Sequence, residues 1–392
     1  MINSSHLDQT ISLQDRNVQL KFYHQSDDSS SLLLKIKNTE LLENRSIGSD
    51  ILKAKVNSTL TLFDPKTNEP LDTITYDIAG QTKQSGTFFY FNKHSFLLNS
   101  GKSYHYSLSL NDKNRGTYFR MVGSINKSQE ICKENLLLFE LGSKIPELTF
   151  TMNSDKMYSL TSERIDLSST ELWFNSSENS LPPPPYSTSH TDLPEITSFQ
   201  KLDINELDGT IVFQDLNIGS FLIRKKTSGV TIISKPSHFP EVGSVADMVL
   251  PLRYISARKE FERLNSNSNL KNGLEKFWLD CGDNKDRSQE LMATFYSRIE
   301  KANLNFSSYK SGWKTDKGLI FIVFGEPTDL QFTENTETWS YGDKSDIGTI
   351  EFVFDKAENK LSSNHYELRR NTIYKSEWAK RVSAWRNGRI YN

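Results

Sequence analysis

The sequence predicts a multidomain chain. Two all-β, Ig-like β-sandwich domains precede an α+β domain in which an antiparallel sheet packs on helices. Three observations lead there. Up to about Lys235 apolar residues recur mostly at every second position, beyond it they recur at steps of three and four, and five of the six tryptophans lie after residue 277. Period two sets one strand face on a core and the other in water, whereas period 3.6 marks an amphipathic helix. The implied boundaries are 12–140, 146–235 and 245–392. A chain of 392 residues also exceeds one ordinary core and fits two or three domains.

In the first segment Asn17–Tyr23, Thr59–Phe63 and Ser103–Leu110 alternate polar with apolar residues. Clusters such as Asp64-Pro65-Lys66-Thr67-Asn68 and Asn111-Asp112-Lys113-Asn114 separate the runs, the punctuation expected of a sandwich. The second segment repeats the texture in Glu171–Phe174, Gly209–Phe213, Ser220–Arg224 and Gly229–Ile233. Within it, Leu181-Pro182-Pro183-Pro184-Pro185-Tyr186 reads as a polyproline II stretch, because four prolines fix φ and remove four donors. A WW-type ligand has this look, but a stiff surface loop is the favoured reading.

The third segment opens with helices. Ser256 is placed to cap a short one carrying Ala257, Phe261 and Leu264, and Leu270–Leu279 forms a second. Lys285–Asn305 forms a third, with Leu291, Met292, Phe295, Tyr296, Ile299, Ala302 and Phe306 along one stripe. Gly282 is expected to end one helix and Asp283 to begin the next. Leu319–Phe324 is apolar on both faces, which predicts a central strand turning at Gly325 and Pro327. Trp339 with Tyr341, and Ile350 with Phe352 and Phe354, share strand faces. Near the end Tyr374, Trp378, Val382 and Trp385 fall on one helical face, with Arg369, Arg370, Lys375, Lys380, Arg381, Arg386 and Arg389 around them. Such a basic helix suits an anionic lipid or an acidic partner, although docking on its own domain is favoured.

A net charge of −2 gives no sign of a nucleic-acid partner. Cys132 and Cys281 fit neither a zinc pattern nor a disulfide framework; two buried thiols are favoured, and their pairing stays open. The seven histidines form no His-x-x-x-His or His-Glu-x-x-His, so no metal or other cofactor is expected. Asp280, Asp283, Asp286 and Glu290 cluster where a helix starts, which is favourable charge placement before it is anything else. No stretch is long enough and apolar enough for a spanning helix, and Met1–His6 lacks a signal pattern.

Gly312-Trp313-Lys314-Thr315-Asp316 resembles the signature of the GWxTD domain family. Other pieces stand in the family's order across roughly 248–370: Leu252-Arg253-Tyr254-Ile255, Phe277-Trp278, Phe295–Ile299, Gly318, Gly325-Glu326-Pro327, Trp339-Ser340-Tyr341 and Ile350–Phe354. Lys317 stands where the family usually has Arg, and Thr328 is inserted between Pro327 and Asp329. Read physically, Gly312 supplies φ > 0 at a helix exit, Trp313 buries its ring, and Thr315 with Asp316 bonds local backbone donors. Gly312, Trp313, Thr315, Asp316, Gly325, Pro327, Trp339 and Tyr341 are therefore expected as structural signature residues, with no catalytic residue assigned.

The resemblance implies an exported envelope protein of Bacteroidota or related bacteria, often a lipoprotein, in the periplasm, outer membrane or cell surface. It implies that a signal has been trimmed from the chain, that a lipid anchor holds it, and that its partners are other envelope proteins. The expected function is a non-enzymatic scaffold or accessory subunit. The alternative is glycan or peptide binding or processing through the aromatics and through Asp316, Asp329 or Glu326. Tyr374, Trp378, Trp385, Arg381, Arg386 and Arg389 are the candidate interaction residues.

Overall fold

The computed structural model describes residues 18–37, 43–45, 52–79, 89–113, 117–176, 181–189, 195–214, 216–333, 335–342, 349–357, 361 and 365–390. Asn17, Asn114, His6 and His190, and the expected start at residue 12, lie outside them.

The first region comprises β1 (Val18–His24), β2 (Ser29–Lys37), β3 (Glu43–Arg45), β4 (Leu52–Phe63), β5 (Pro70–Ala79), β6 (Phe89–Leu97), β7 (Ser103–Asp112) and β8 (Thr117–Asn126). One sheet runs β1-β2-β6; the other runs β3-β4-β7-β8 with β5 on β4. Leu20, Phe22, Leu32 and Leu34 from the first meet Leu60, Leu62, Leu108 and Met121 from the second in one core. β1 departs from period two, since nearly every residue in it is buried. The reason is tertiary: its outer face meets the next region, where Tyr23 packs with Leu148 and accepts the Glu163 N–H at 2.9 Å.

The second region holds β9 (Leu137–Glu140), β10 (Thr151–Asn153), β11 (Tyr158–Thr161), β12 (Glu171–Asn175), β13 (Gln200–Leu202), β14 (Asn205–Leu207), β15 (Thr210–Phe213), β16 (Gly219–Lys225) and β17 (Ser228–Lys235). Its sheets run β14-β15-β11-β9 and β10-β17-β16-β12-β13, the pairing of β10 with β17 being parallel. Leu138, Leu160 and Ile211 face Leu172, Ile223 and Ile232 across a shared core.

The last region is helical first: α1 (Val245–Val249), α2 (Arg258–Asn265), α3 (Leu270–Gly282), α4 (Lys285–Phe306) and α5 (Asp316–Phe324). An antiparallel sheet follows, β18 (Asp329–Phe332), β19 (Thr336–Tyr341), β20 (Ile350–Lys356) and β21 (Tyr366–Leu368), then α6 (Tyr374–Arg386). Its core joins Leu291, Phe295 and Ile299 of α4 to Ile320 and Phe324 of α5, Trp339, Phe352 and Phe354 of the sheet, and Trp378 of α6.

Several expectations fail here for local reasons. Leu319–Phe324 is the body of helix α5, not a central strand. Every residue in it is buried, so the run carries no polar face to display a 3.6 period. The Thr315 side chain caps the helix by accepting the Gly318 N–H at 3.0 Å. Ser256 does not cap α2; its hydroxyl donates back to Leu252 O at 2.7 Å, and Ala257 holds the cap position while Glu260 accepts the Ala257 N–H. Asp283 does not open α4 but closes α3 in the left-handed region (φ +60°), and Asn284 caps α4 by accepting the Arg287 N–H at 2.9 Å. Gly312 is not at positive φ, and a crowded contact takes the place of the expected turn.

Candidate functional site

The signature pentapeptide sits in a short 3-10 turn, Gly312–Lys314, wedged between the end of α4 and the start of α5. A Cβ on Gly312 would stand 1.8 Å from Ala302 O, and one on Gly318 2.0 Å from Gly312 O. Glycine is required here so that backbone can lie on backbone. Asn303 of α4 fixes the turn: its Oδ1 accepts the Trp313 N–H at 3.2 Å and its Nδ2 donates to Pro240 O at 2.9 Å. Tyr254 donates to Trp313 O at 2.9 Å and lies edge-on to the Trp313 ring.

Asp316 does not bond local donors. Its carboxylate accepts the Leu368 N–H at 2.8 Å and a two-pronged pair from Arg370, at 3.0 and 2.5 Å. Both side chains are almost fully buried, at 7% and 3% exposure. A planar guanidinium facing a carboxylate is the strongest form of this contact. Arg370 also donates from Nη2 to Pro183 O at 3.2 Å, and the Asn371 N–H donates to Pro185 O at 3.0 Å. Pro182 and Pro185 are buried, and Leu181 and Tyr186 pack on the core of the last region. The proline stretch has no regular secondary structure, as a surface loop would, and it is docked as a strap with Pro182 and Pro185 buried.

The remaining signature residues are placed as follows. Gly325 ends α5 at φ +88°, with Arg298 so close that a Cβ would stand 2.7 Å from Nη2. Tyr341 donates to Gly325 O at 3.0 Å, and Trp339 donates to Glu337 Oε1 at 2.7 Å. Pro327 is buried beside an inter-region cavity. Of the three carboxylates considered for chemistry, Asp316 is held by Arg370, Asp329 accepts from Gln331 Nε2 at 3.1 Å, and Glu326 pairs with Lys301 at 2.8 Å. Each has its own partner.

That cavity, of about 260 Å³, lies where the three regions meet. Lys21, Lys133, Glu134, Lys317, Glu337 and Tyr366 are among its walls. Burial lowers the Lys21 amine to about 8 and pulls Lys133 and Lys317 below their ordinary value. Burial works to raise the Glu134 carboxyl, but Lys21, His24 and hydrogen bonds from its own backbone and Cys132 together leave the group below the usual range. The ammonium groups join regions: Lys21 donates to Lys133 O at 2.7 Å, and Lys133 donates to Ser307 O at 3.0 Å. Lys317 bonds Glu337 and lies 3.5 Å from the Tyr366 ring centre. Ser220 to Tyr309 O (2.8 Å) and Thr231 to Leu361 O (2.7 Å) add further ties.

The aromatic face of α6 is turned inward. Tyr374, Trp378 and Trp385 are buried, and Trp385 Nε1 donates to Val323 O at 3.0 Å. Arg381 stacks on Phe324, while Arg386 pairs with Glu260 at 2.6 Å and covers the Phe277 ring. Arg389 is exposed. Cys132 and Cys281 are buried free thiols, both pushed up by burial. Among the described residues no three His, Cys, Asp or Glu side chains come together as metal ligands, and no helix is long and apolar enough to cross a membrane.

The sequence names Arg370 and the proline stretch but not their roles, and it gives Asn303 no role at all. Their roles depend on partners far along the chain, and no local spacing announces them.

These features define a β-rich multidomain protein ending in a compact helix-and-sheet domain organised by its Gly-Trp-x-Thr-Asp turn. The family model for the GWxTD domain matches residues 219–387, from the first residue of β16 to just past α6, so the chain carries a GWxTD domain. No curated protein matches the chain. Among solved structures, Bacteroides uniformis beta-glucuronidase 2 covalently bound to cyclophellitol-6-carboxylate aziridine is 14% identical over 36% of this chain and 16% of its own, at a TM-score of 0.19. A Bacteroides uniformis beta-glucuronidase crystal structure is 14% identical over 35% of this chain and 16% of its own, at a TM-score of 0.18. This chain therefore spans only 16% of either enzyme, and the likeness carries no argument about its own activity.

Proposed function

We propose that this protein is a non-enzymatic scaffold or accessory subunit of a bacterial envelope assembly. It works in the periplasm, outer membrane or cell surface, held there by a lipid anchor and bound to other envelope proteins. In the same reading 12–140 and 146–235 are Ig-like β-sandwich domains, and 245–392 is the GWxTD unit. One observation carries it: the signature acid, Asp316, is spent on Arg370 and the Leu368 N–H. The residues that mark the domain build a joint. Hydrogen bonds between regions, such as Lys133 to Ser307 O and the buried Ser220 to Tyr309 O, support a rigid multi-region body suited to presenting surfaces.

Glycan or peptide processing through the aromatics is less favoured, because Trp339 and Tyr341 lie in the core. The test is affinity purification of the tagged protein from mildly solubilised native membranes. The expected result is a stable complex with envelope proteins, in stoichiometric amount. A free monomer in both membrane and soluble fractions would overturn the reading. Mass spectrometry of the native N-terminus reports the anchor separately.

A further inference from the structure

We propose that the GWxTD domain carries a recognition site for proline-rich peptides, filled in cis by Leu181–Tyr186. The proposal stands apart from the envelope reading, since either can fail alone.

Each of residues 181–184 precedes a proline, which steers its backbone to the extended, polyproline II region, and the rings fix φ at 182–185. Pro182–Pro185 have no N–H. Recognition must therefore use carbonyl acceptors and ring faces. Both are met here. Arg370 and Asn371, adjacent in sequence between β21 and α6, donate to the carbonyls of Pro183 and Pro185 at 3.2 and 3.0 Å. Pro182 and Pro185 are buried, and Leu181 and Tyr186 anchor the two ends on the domain core. Past the last proline the chain turns away, with the Ser187 N–H on Pro184 O at 3.0 Å.

Asp316 acts as a positioning residue in this site. It binds Arg370 through both guanidinium nitrogens that face it, and Nη2 is shared with the strap. The donor is therefore aimed before any peptide arrives. A stiff polyproline segment also loses little freedom on docking. Because the occupant is tethered, its effective concentration is on the order of millimolar, so an external peptide competes poorly until the strap is weakened. The site is thereby latched, and a proline-rich segment of a partner is what would open it.

The test uses the full chain with Pro182, Pro183, Pro184 and Pro185 all changed to Ser. The probe is a fluorescent peptide of sequence Leu-Pro-Pro-Pro-Pro-Tyr, read by anisotropy. The variant is expected to bind it saturably, at least roughly tenfold more tightly than the unmodified chain does. Adding Arg370→Lys keeps the charge but removes the fork and is expected to weaken binding about tenfold. A variant that keeps the native circular dichroism and elution volume yet does not bind at millimolar peptide overturns the proposal. So does binding indifferent to Arg370→Lys. Should the fourfold variant not fold, Pro183→Ser is read by hydrogen exchange at the Asn371 amide. Faster exchange that the peptide reverses supports the site; exchange equal to that of the unmodified chain overturns it.

Discussion

Asp316 and Arg370 stand 54 positions apart and meet as a buried pair, with two hydrogen bonds between them and a third from the Leu368 N–H to the same carboxylate. The pair joins the first turn of α5 to the chain leaving β21. Removing one member leaves an uncompensated charge where water is scarce, which costs about 3–5 kcal/mol. Asp316→Asn is expected to destabilise the protein by that amount, read as a lower urea midpoint. The double variant Asp316→Leu, Arg370→Met is expected to recover part of the loss, because no charge is stranded. An Asp316→Asn chain of unchanged stability would show that the pair does not organise the domain.

Gly312 makes a second, steric claim. A Cβ there would stand 1.8 Å from a backbone oxygen of α4, which has no rotamer to change. Gly312→Ala is therefore expected to cost about 3 kcal/mol, the upper end of overpacking, or to prevent folding. Gly142→Ala is the control, since a Cβ there meets nothing within 4 Å and only its φ of +86° is strained, at about 1–2 kcal/mol. Thermal melts of the two variants side by side check the ordering.

Legibility in the sequence followed solvent exposure. Ser103–Leu110 alternates because one face of β7 is wetter than the other, and the α4 stripe reads as a helix because its opposite face is polar. α5 has no wet face, so six apolar residues in a row were equally consistent with a buried strand. The decisive signal was just upstream, where Thr315 and Asp316 form a cap and an acidic first turn. Of the candidate site, the signature residues were visible as a motif. Their joint was not, since Arg370 reaches Asp316, and meets Pro183 O, only after the sheet has folded back.

Trp385 tests how α6 is used. Its indole donates to Val323 O, and Arg298 lies 5.2 Å above its ring. Trp385→Phe keeps most of the packing but leaves the buried Val323 O with only the long Arg298 Nη1 contact at 3.5 Å, a cost of about 1–3 kcal/mol. The expected readout is a lower urea midpoint with an unchanged slope. If α6 served a membrane surface instead, the variant would hold its stability and lose affinity for phosphatidylglycerol vesicles.

Three buried histidines, His24, His105 and His365, are held below their ordinary value by burial, and the first and last have the larger shifts. His24 and His365 are buried, and burial lowers them to about 4 and about 3; the nearby cations Lys127 and Arg164 act on His24, and Lys310 and Lys317 on His365, in the same direction. For His24 the acid Glu134 works the other way without reversing the shift. In the unfolded chain both titrate near about 6.5. Below that value the unfolded state binds more protons than the folded one, so stability rises with pH. The contribution is complete above about pH 7 and is lost as pH falls through 6.5 toward the folded values. Between pH 7.5 and 5 the ordinary carboxylates stay ionised, and the two histidines together are expected to cost about 2–4 kcal/mol. Urea unfolding at the two pH values measures this loss. In a His24→Gln, His365→Gln chain the difference between them is expected to shrink to well under half, even though that chain starts less stable; an undiminished difference would assign the acid sensitivity to other groups.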